Sequence, residues 1–162
     1  MAQPREPEGQ VPAETDGPEQ RILNLTPHSK STFSVEEVLR QRIEQLAQAI
    51  RHKDVDSLMA LYSPEVVAFD VRPPLEARGA YAYRENFVRW FDSFEGRIDF
   101  DLKNLRVVPG EPVSFCHYLS FIVGAKPGGG TVGYWARGTT CFERRDGEWL
   151  VTHEHISMPA AK

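Results

Sequence analysis

Four sets of side chains in this sequence could do chemistry: a carboxylate at a turn, a lone histidine on an apolar strand, a His-Glu-His run and two cysteines. Asp70 closes the β-forming run Val66-Val67-Ala68-Phe69 and stands just before Pro73-Pro74. Against apolar walls its carboxyl would resist ionising, which suits removal of a proton next to a carbonyl. The other reading is that Asp70 braces the turn from Val71 to Leu75. His117 interrupts the alternating apolar series Val113, Phe115, Leu119, Phe121 and Val123, as either a hydrogen-bonded wall group or an acid/base partner. In His153-Glu154-His155, strand alternation sends both histidines to one face and Glu154 to the other. Two ligands do not make a metal site, so no metal and no cofactor are expected. Cys116 and Cys141 lie on separate predicted strands without CxxC spacing and read as small apolar residues or as a disulfide. The aromatics Tyr62, Trp90, Phe91, Phe115, Phe121 and Phe142 are core residues first; those left on a cavity wall favour a flat apolar ligand.

The elements that must position these residues follow from spacing. Val35, Val38, Leu39, Ile43, Leu46 and Ile50 recur at steps of three and four behind a Ser34/Glu37 capping box, which predicts a first helix. Asp54 offers an N-cap to a short second helix carrying Val55, Leu58, Met59, Leu61 and Tyr62, which Pro64 ends. A third helix after Gly79 places Tyr83, Phe87, Trp90, Phe91 and Phe94 on one face. Beyond Gly96 the period is two. A parity change between Phe100-Leu102 and Leu105-Val107 predicts a bulge near Lys103-Asn104. The Gly128-Gly129-Gly130 and Asp146-Gly147 turns then bound a strand from about Thr131 to Arg144 and a last one from Trp149 to about Ser157. The expected class is α+β: three N-terminal helices packed on one face of a curved antiparallel sheet.

With 162 residues and a formal charge of −4, the chain has room for one core, and its basic residues form no stripe. Nucleic acid and membrane are therefore not expected partners. No apolar run is long enough to span a bilayer and the first residues, MAQPREPEGQVPAE, carry no apolar leader, so the cytoplasm is the expected location. Residues 1–33, with Pro4, Pro7, Pro12, Pro18 and Pro27 among Gly, Gln and Glu, read as a disordered tail, and residues 34–159 as the domain. The island Ile22-Leu23-Asn24-Leu25 either docks on that domain or stays mobile.

The stretch from Asp54 to Glu65, then Phe69-Asp70-Val71-Arg72-Pro73-Pro74-Leu75 and Gly79, resembles SnoaL-like proteins and bacterial ketosteroid isomerases. Arg137-Gly138-Thr139, Asp146-Gly147-Glu148-Trp149 and the run from His153 to Pro159 resemble the closing hairpin of the same nuclear transport factor 2-like superfamily, including the calmodulin-dependent kinase association domain. The resemblance spans about residues 35 to 159. It implies a cone-shaped fold that encloses a pocket, usually in a homodimer, but no single activity. It places Asp70 where ketosteroid isomerases keep their general base. The positions matching their oxyanion donors are Leu46 and Gly138 or Thr139, which cannot supply the same acids. It turns His117 toward the pocket, with Thr152, Glu154 and Ile156, and turns His153 and His155 to the convex face. Arg137 joins these two unless a bulge sends it inward to Glu154. The candidate catalytic set is Asp70, His117 and Glu154; the candidate ligand wall is Tyr62, Trp90, Phe91, Phe115, Phe121, Thr140, Phe142 and Ile156. The expected partners are a small molecule and a second copy of the chain, docked through the convex face by Trp135, Val151 and the terminal histidines.

Overall fold

The computed structural model describes residues 33–160. The tail expected over residues 1–33 lies outside that range but for its last residue. Ser34 accepts the Glu37 N–H while the Glu37 carboxylate takes the Ser34 N–H, and this box starts α1, Val35–His52. Lys53, in the left-handed conformation at φ 57°, ends it. Leu39, Ile43, Leu46 and Ile50 form the buried stripe, and each such side chain contributes roughly 1.5 to 3 kcal/mol on leaving water. The Asp54 carboxylate caps α2, Val55–Met59, through the Ser57 N–H.

Strand β1, Tyr62–Phe69, begins earlier than Val66 because Pro64 is tolerated where the ladder is interrupted. Its pairing jumps from Tyr62 opposite Val151 to Val67 opposite His153, leaving Pro64 with no ladder bond to supply. Next come β2, Ala77–Arg78, and α3, Ala80–Asp92, which starts at Gly79 with φ 86°. The long strands β3, Glu95–Val108, β4, Val113–Ala125, β5, Thr131–Arg145, and β6, Glu148–Ser157, complete a six-stranded sheet in the order β2-β1-β6-β5-β4-β3. Two of the three helices precede the sheet, and the third is inserted after its first two strands. Nor is the sheet wholly antiparallel: β1 runs parallel to β6, since α3 and four strands form a long crossover between them. Helix α1 packs on β3 and α3 on β1.

Two bulges decide which residues face inward. The first, between Lys103 and Arg106 of β3, lies where the parity change predicts it, with Asn104 at φ 55°. The second is absent from the sequence pattern. Phe142 pairs with Val151 but Cys141 with His153, so β6 carries one extra residue, Thr152. Trp149 and Val151 therefore point inward together with Glu154, and Val151, expected on the convex face, is core.

Strand β4 departs most from expectation. Its buried residues are Ser114, Cys116, Tyr118, Ser120, Ile122 and Gly124, whereas His117 and Phe115 are exposed on the outer face and Phe121 is half-buried there. Both faces of β4 are rich in apolar or small residues, so hydrophobic alternation alone selected the wrong one.

Candidate functional site

Between the inner face of the sheet and the helices lies a cavity of about 520 Å³. Its floor is formed by buried residues, Tyr62, Tyr83, Tyr118 and Glu154, and its rim by exposed ones, Val71, Arg72, Lys126 and Met158. Helix α3 supplies the aromatic side wall with Phe87, Trp90 and Tyr83 at helical spacing. Trp90 Nε1 donates to the Tyr134 hydroxyl at 2.9 Å, which ties this wall to β5.

Glu154 is the centre of the floor. The Thr152 bulge turns it inward, where it is 2% exposed. Its Oε2 accepts from the Tyr62 hydroxyl at 2.8 Å and the Tyr83 hydroxyl at 2.6 Å, and its Oε1 accepts from Thr140 Oγ1 at 3.1 Å. All three donors are neutral. Burial raises the Glu154 carboxyl above the ordinary glutamate range, and the hydroxyl bonds from Tyr83, Tyr62 and Thr140 oppose that rise. The same burial, with the nearby Glu154 charge, pushes the phenols of Tyr62, Tyr83 and Tyr118 well above the usual tyrosine value, so they remain protonated donors.

Asp70 is half-buried at the end of β1 and also lines the cavity. Its Oδ1 accepts the Val71 N–H at 2.6 Å, so the carboxyl does brace the turn. Burial nonetheless raises its pKa, against the opposing effects of the backbone bonds and the Arg72 guanidinium. The Asn86 amide on α3 also favours the charged carboxylate, although its Nδ2 completes no hydrogen bond among the described residues. Asn86 Oδ1 in turn accepts from the Arg89 guanidinium.

Among the candidate residues, Asp70, Glu154, Tyr62, Trp90 and Ile156 line this cavity, and Thr140 touches it through Glu154. His117, Phe115 and Phe121 do not: they stand on the opposite face of β4, so the pairing of His117 with Asp70 is excluded by the register. Phe91 and Phe142 are buried in the core away from the lining. Arg137 is exposed on the convex side, where it donates to the Met158 carbonyl at 3.0 Å and does not reach Glu154. His153 Nδ1 donates to the Val67 carbonyl at 2.8 Å, and the rings of His153 and His155 stand edge-on to Phe69. Among the described residues no three His, Cys, Asp or Glu side chains gather in a way that could hold a metal ion. Cys116 faces inward and Cys141 outward, both as free thiols, and burial pushes the Cys116 thiol up to about 12.

Sequence reasoning missed Tyr118 and Tyr134. Alternation on β4 carries no signal for Tyr118, because it shares its parity with Ser114 and Ser120 while the other parity is the more apolar.

Comparison with known proteins accounts for the architecture. A protein of unknown function from Pseudomonas putida KT2440, described as NTF2-like, superposes with a TM-score of 0.70 at 28% identity, covering 80% of this chain and 92% of its own. A ketosteroid isomerase-like protein from Erwinia carotovora atroseptica gives 0.68 at 15% identity, over 80% of this chain and 100% of that one. The association domain of CaMKII from C. elegans gives 0.61 at 18% identity, over 76% and 95%. Comparison with curated proteins gives no match. Residues 39–161 match the SnoaL-like domain, and the chain therefore belongs to the SnoaL-like family, within the NTF2-like superfamily.

Proposed function

We propose that the domain binds a small, flat, partly apolar molecule in the cavity above Glu154. The observation that carries this reading is the cavity itself: about 520 Å³ is the size of an ordinary small-molecule site, and aromatic walls with a few convergent polar groups are its usual lining. Native mass spectrometry of the purified protein, with a thermal-shift screen of bicyclic aromatics, tests it. One retained or added ligand per chain is expected. A chain that retains none and whose melting no such compound shifts does not use the cavity for binding.

A second reading is favoured by Asp70, which is both on the cavity wall and raised in pKa by burial. It is a cofactor-independent isomerase, cyclase or dehydratase with Asp70 as general base, and with Glu154 in place of His117 as the partner group. Asp70→Asn keeps an acceptor for the Val71 N–H but cannot take a proton. An enzyme predicts an Asp70 carboxyl titrating above the ordinary range by carbon-13 NMR and an Asn variant of unharmed stability. A lowered pKa with a loss of about 1 to 2 kcal/mol leaves Asp70 a brace alone.

The expected partner copy docks on the convex face, where Trp135, Phe115 and Val113 are 45%, 40% and 56% exposed. Such a patch suits a homodimer. The CaMKII association domain, by its description, associates through a chain of this fold. The expected location is the cytoplasm; among the described residues no helix is long and apolar enough to cross a membrane.

A further inference from the structure

The hydroxyls around Glu154 are not equally engaged. Those of Tyr62 and Tyr83 sit 2.8 Å and 2.6 Å from Oε2, and Thr140 sits 3.1 Å from Oε1. The Tyr118 hydroxyl is 3.5 Å from Glu154 Oε1 and 3.5 Å from Thr140 Oγ1. O–H···O bonds of full strength lie at about 2.5 to 3.0 Å, so Tyr118 has two near neighbours and no proper acceptor. It is nevertheless only 3% exposed and belongs to the cavity lining.

The sheet, and not these weak contacts, holds the hydroxyl where it is. Tyr118 pairs with Gly138 across β4 and β5, and its ring occupies the space a side chain at 138 would take. A Cβ at position 138 would stand 2.4 Å from Tyr118 Cζ and 2.8 Å from the hydroxyl oxygen. Any residue but glycine would displace the ring. Closing the gap to Oε1 would require the ring to leave this seat.

We infer that the Tyr118 hydroxyl is the donor that recognises an oxygen of the bound molecule, and that this oxygen is a neutral carbonyl. The donor is fixed, buried and undersatisfied, and a hydrogen bond made in such a place is stronger than in water. The Glu154 carboxyl behind it decides the class, since a carboxylate or phenolate oxygen brought to the same hydroxyl would meet a like charge whenever Glu154 is ionised. A ketone, aldehyde or lactone on a flat apolar body meets both requirements.

The inference rests on the cavity being a binding site, and the test separates the two. The probes are 2-acetylnaphthalene and 2-ethylnaphthalene, alike in shape and differing in the carbonyl, titrated by tryptophan fluorescence. The intact chain should bind the ketone about tenfold more tightly, the amount one buried hydrogen bond contributes, and Tyr118→Phe should remove that preference. The infrared carbonyl stretch of the bound ketone should lie below its value in hydrocarbon solvent, and should return toward that value in Tyr118→Phe but not in Tyr62→Phe. If neither probe binds, the cavity reading fails and this inference with it. If both bind equally, or if the preference and the shift survive in Tyr118→Phe, the cavity reading stands and the role of Tyr118 is overturned. Should that variant not fold, Gly138→Ala moves the same hydroxyl; a carbonyl shift unchanged there, or absent from the intact protein, is equally fatal.

Discussion

The two faces of β4 carry side chains that contradict their surroundings. Facing inward and buried are Ser114, Cys116, Tyr118 and Ser120; facing outward, more exposed, are Val113, Phe115, Leu119 and Phe121. Within the inner set Ser114 exchanges bonds of 2.9 Å with Gly110, while the Tyr118 hydroxyl stands 3.5 Å from Glu154 Oε1. Among the described residues the outer set has no such network but has neighbouring apolar rings such as Phe121 and Trp135, whose centroids are 5.0 Å apart. Burial on one side of the sheet is thus governed by a polar cluster assembled from four strands, and the other side is an apolar surface that a second copy can cover.

The largest effect expected from breaking this contrast is at Glu154. Glu154→Ala leaves the buried hydroxyls of Tyr62, Tyr83 and Thr140 without an acceptor, at roughly 1 to 3 kcal/mol for an orphaned group. Part is recovered because no carboxylate then needs to be buried. The expected net loss is about 3 kcal/mol in denaturant unfolding, whereas His117→Ala on the outer face should stay within about 0.5 kcal/mol. Glu154→Gln sharpens the point through pH. The folded pKa of Glu154 lies above its unfolded value, so folding favours the protonated form. Its contribution is fully present below the unfolded pKa, near 4.3, and is lost as pH rises through the folded value. The stability of Glu154→Gln relative to the parent chain should therefore grow across that window and level off above it. A difference independent of pH, measured by urea melts from pH 4 to 8, would mean that Glu154 is not desolvated as described. Asp70 shifts in the same direction, so the slope of the parent chain is not abolished by this one change.

What the sequence disclosed divides along the same line. The α1 cap, the Asp54 cap, the helical stripe and the β3 bulge are local, each determined by residues within a few positions, and spacing reveals them. The inner face of β4 is not local. Tyr118 faces inward through the register of β4, and its ring fits there because Gly138, twenty positions away, lacks a side chain. Glu154 itself faces inward, with Val151 on the same side, only through an extra residue in β6 that no periodicity announces. Resemblance to relatives reached Asp70 and Glu154, whose backbone positions the fold dictates. It missed Tyr118, because it turned the His117 face of β4 toward the pocket, and Tyr118 lies on the other face.

Glycine substitutions on the two faces give a smaller, cleaner comparison. Gly138→Ala drives a Cβ to within 2.4 Å of the Tyr118 ring, and overpacking of that kind costs about 1 to 3 kcal/mol. Gly133, on the outer side of the same strand, has its nearest neighbours at 3.4 Å and 3.5 Å, in the side chains of Phe121 and Val123. Alanine fits there, so Gly133→Ala should be neutral or stabilising by about 0.5 kcal/mol through reduced chain entropy. Equal losses at the two sites would show that the ring of Tyr118 moves freely and that its seat on Gly138 is not a constraint.

The smallest effect on stability is expected at Trp135, and it bears on the convex face. Trp135 is 45% exposed and its main contact is the tilted ring of Phe121, an arrangement that contributes at most about 1 kcal/mol. Trp135→Ser in a dilute, monomeric sample should therefore unfold within about 1 kcal/mol of the parent chain, since neither the cavity nor the Glu154 cluster is touched. The same change removes the largest apolar side chain from the surface assigned to a second copy. Sedimentation at micromolar concentration should then show the parent chain as a dimer and the variant shifted toward monomer, because a central aromatic anchor commonly carries 2 kcal/mol or more of an interface. A variant that loses dimerisation with its monomer stability intact assigns the outer aromatics to association. If it instead loses several kcal/mol of stability while its oligomeric state is unchanged, Phe121 and Trp135 belong to the folding core, and the distinction drawn between the two faces of the sheet does not hold.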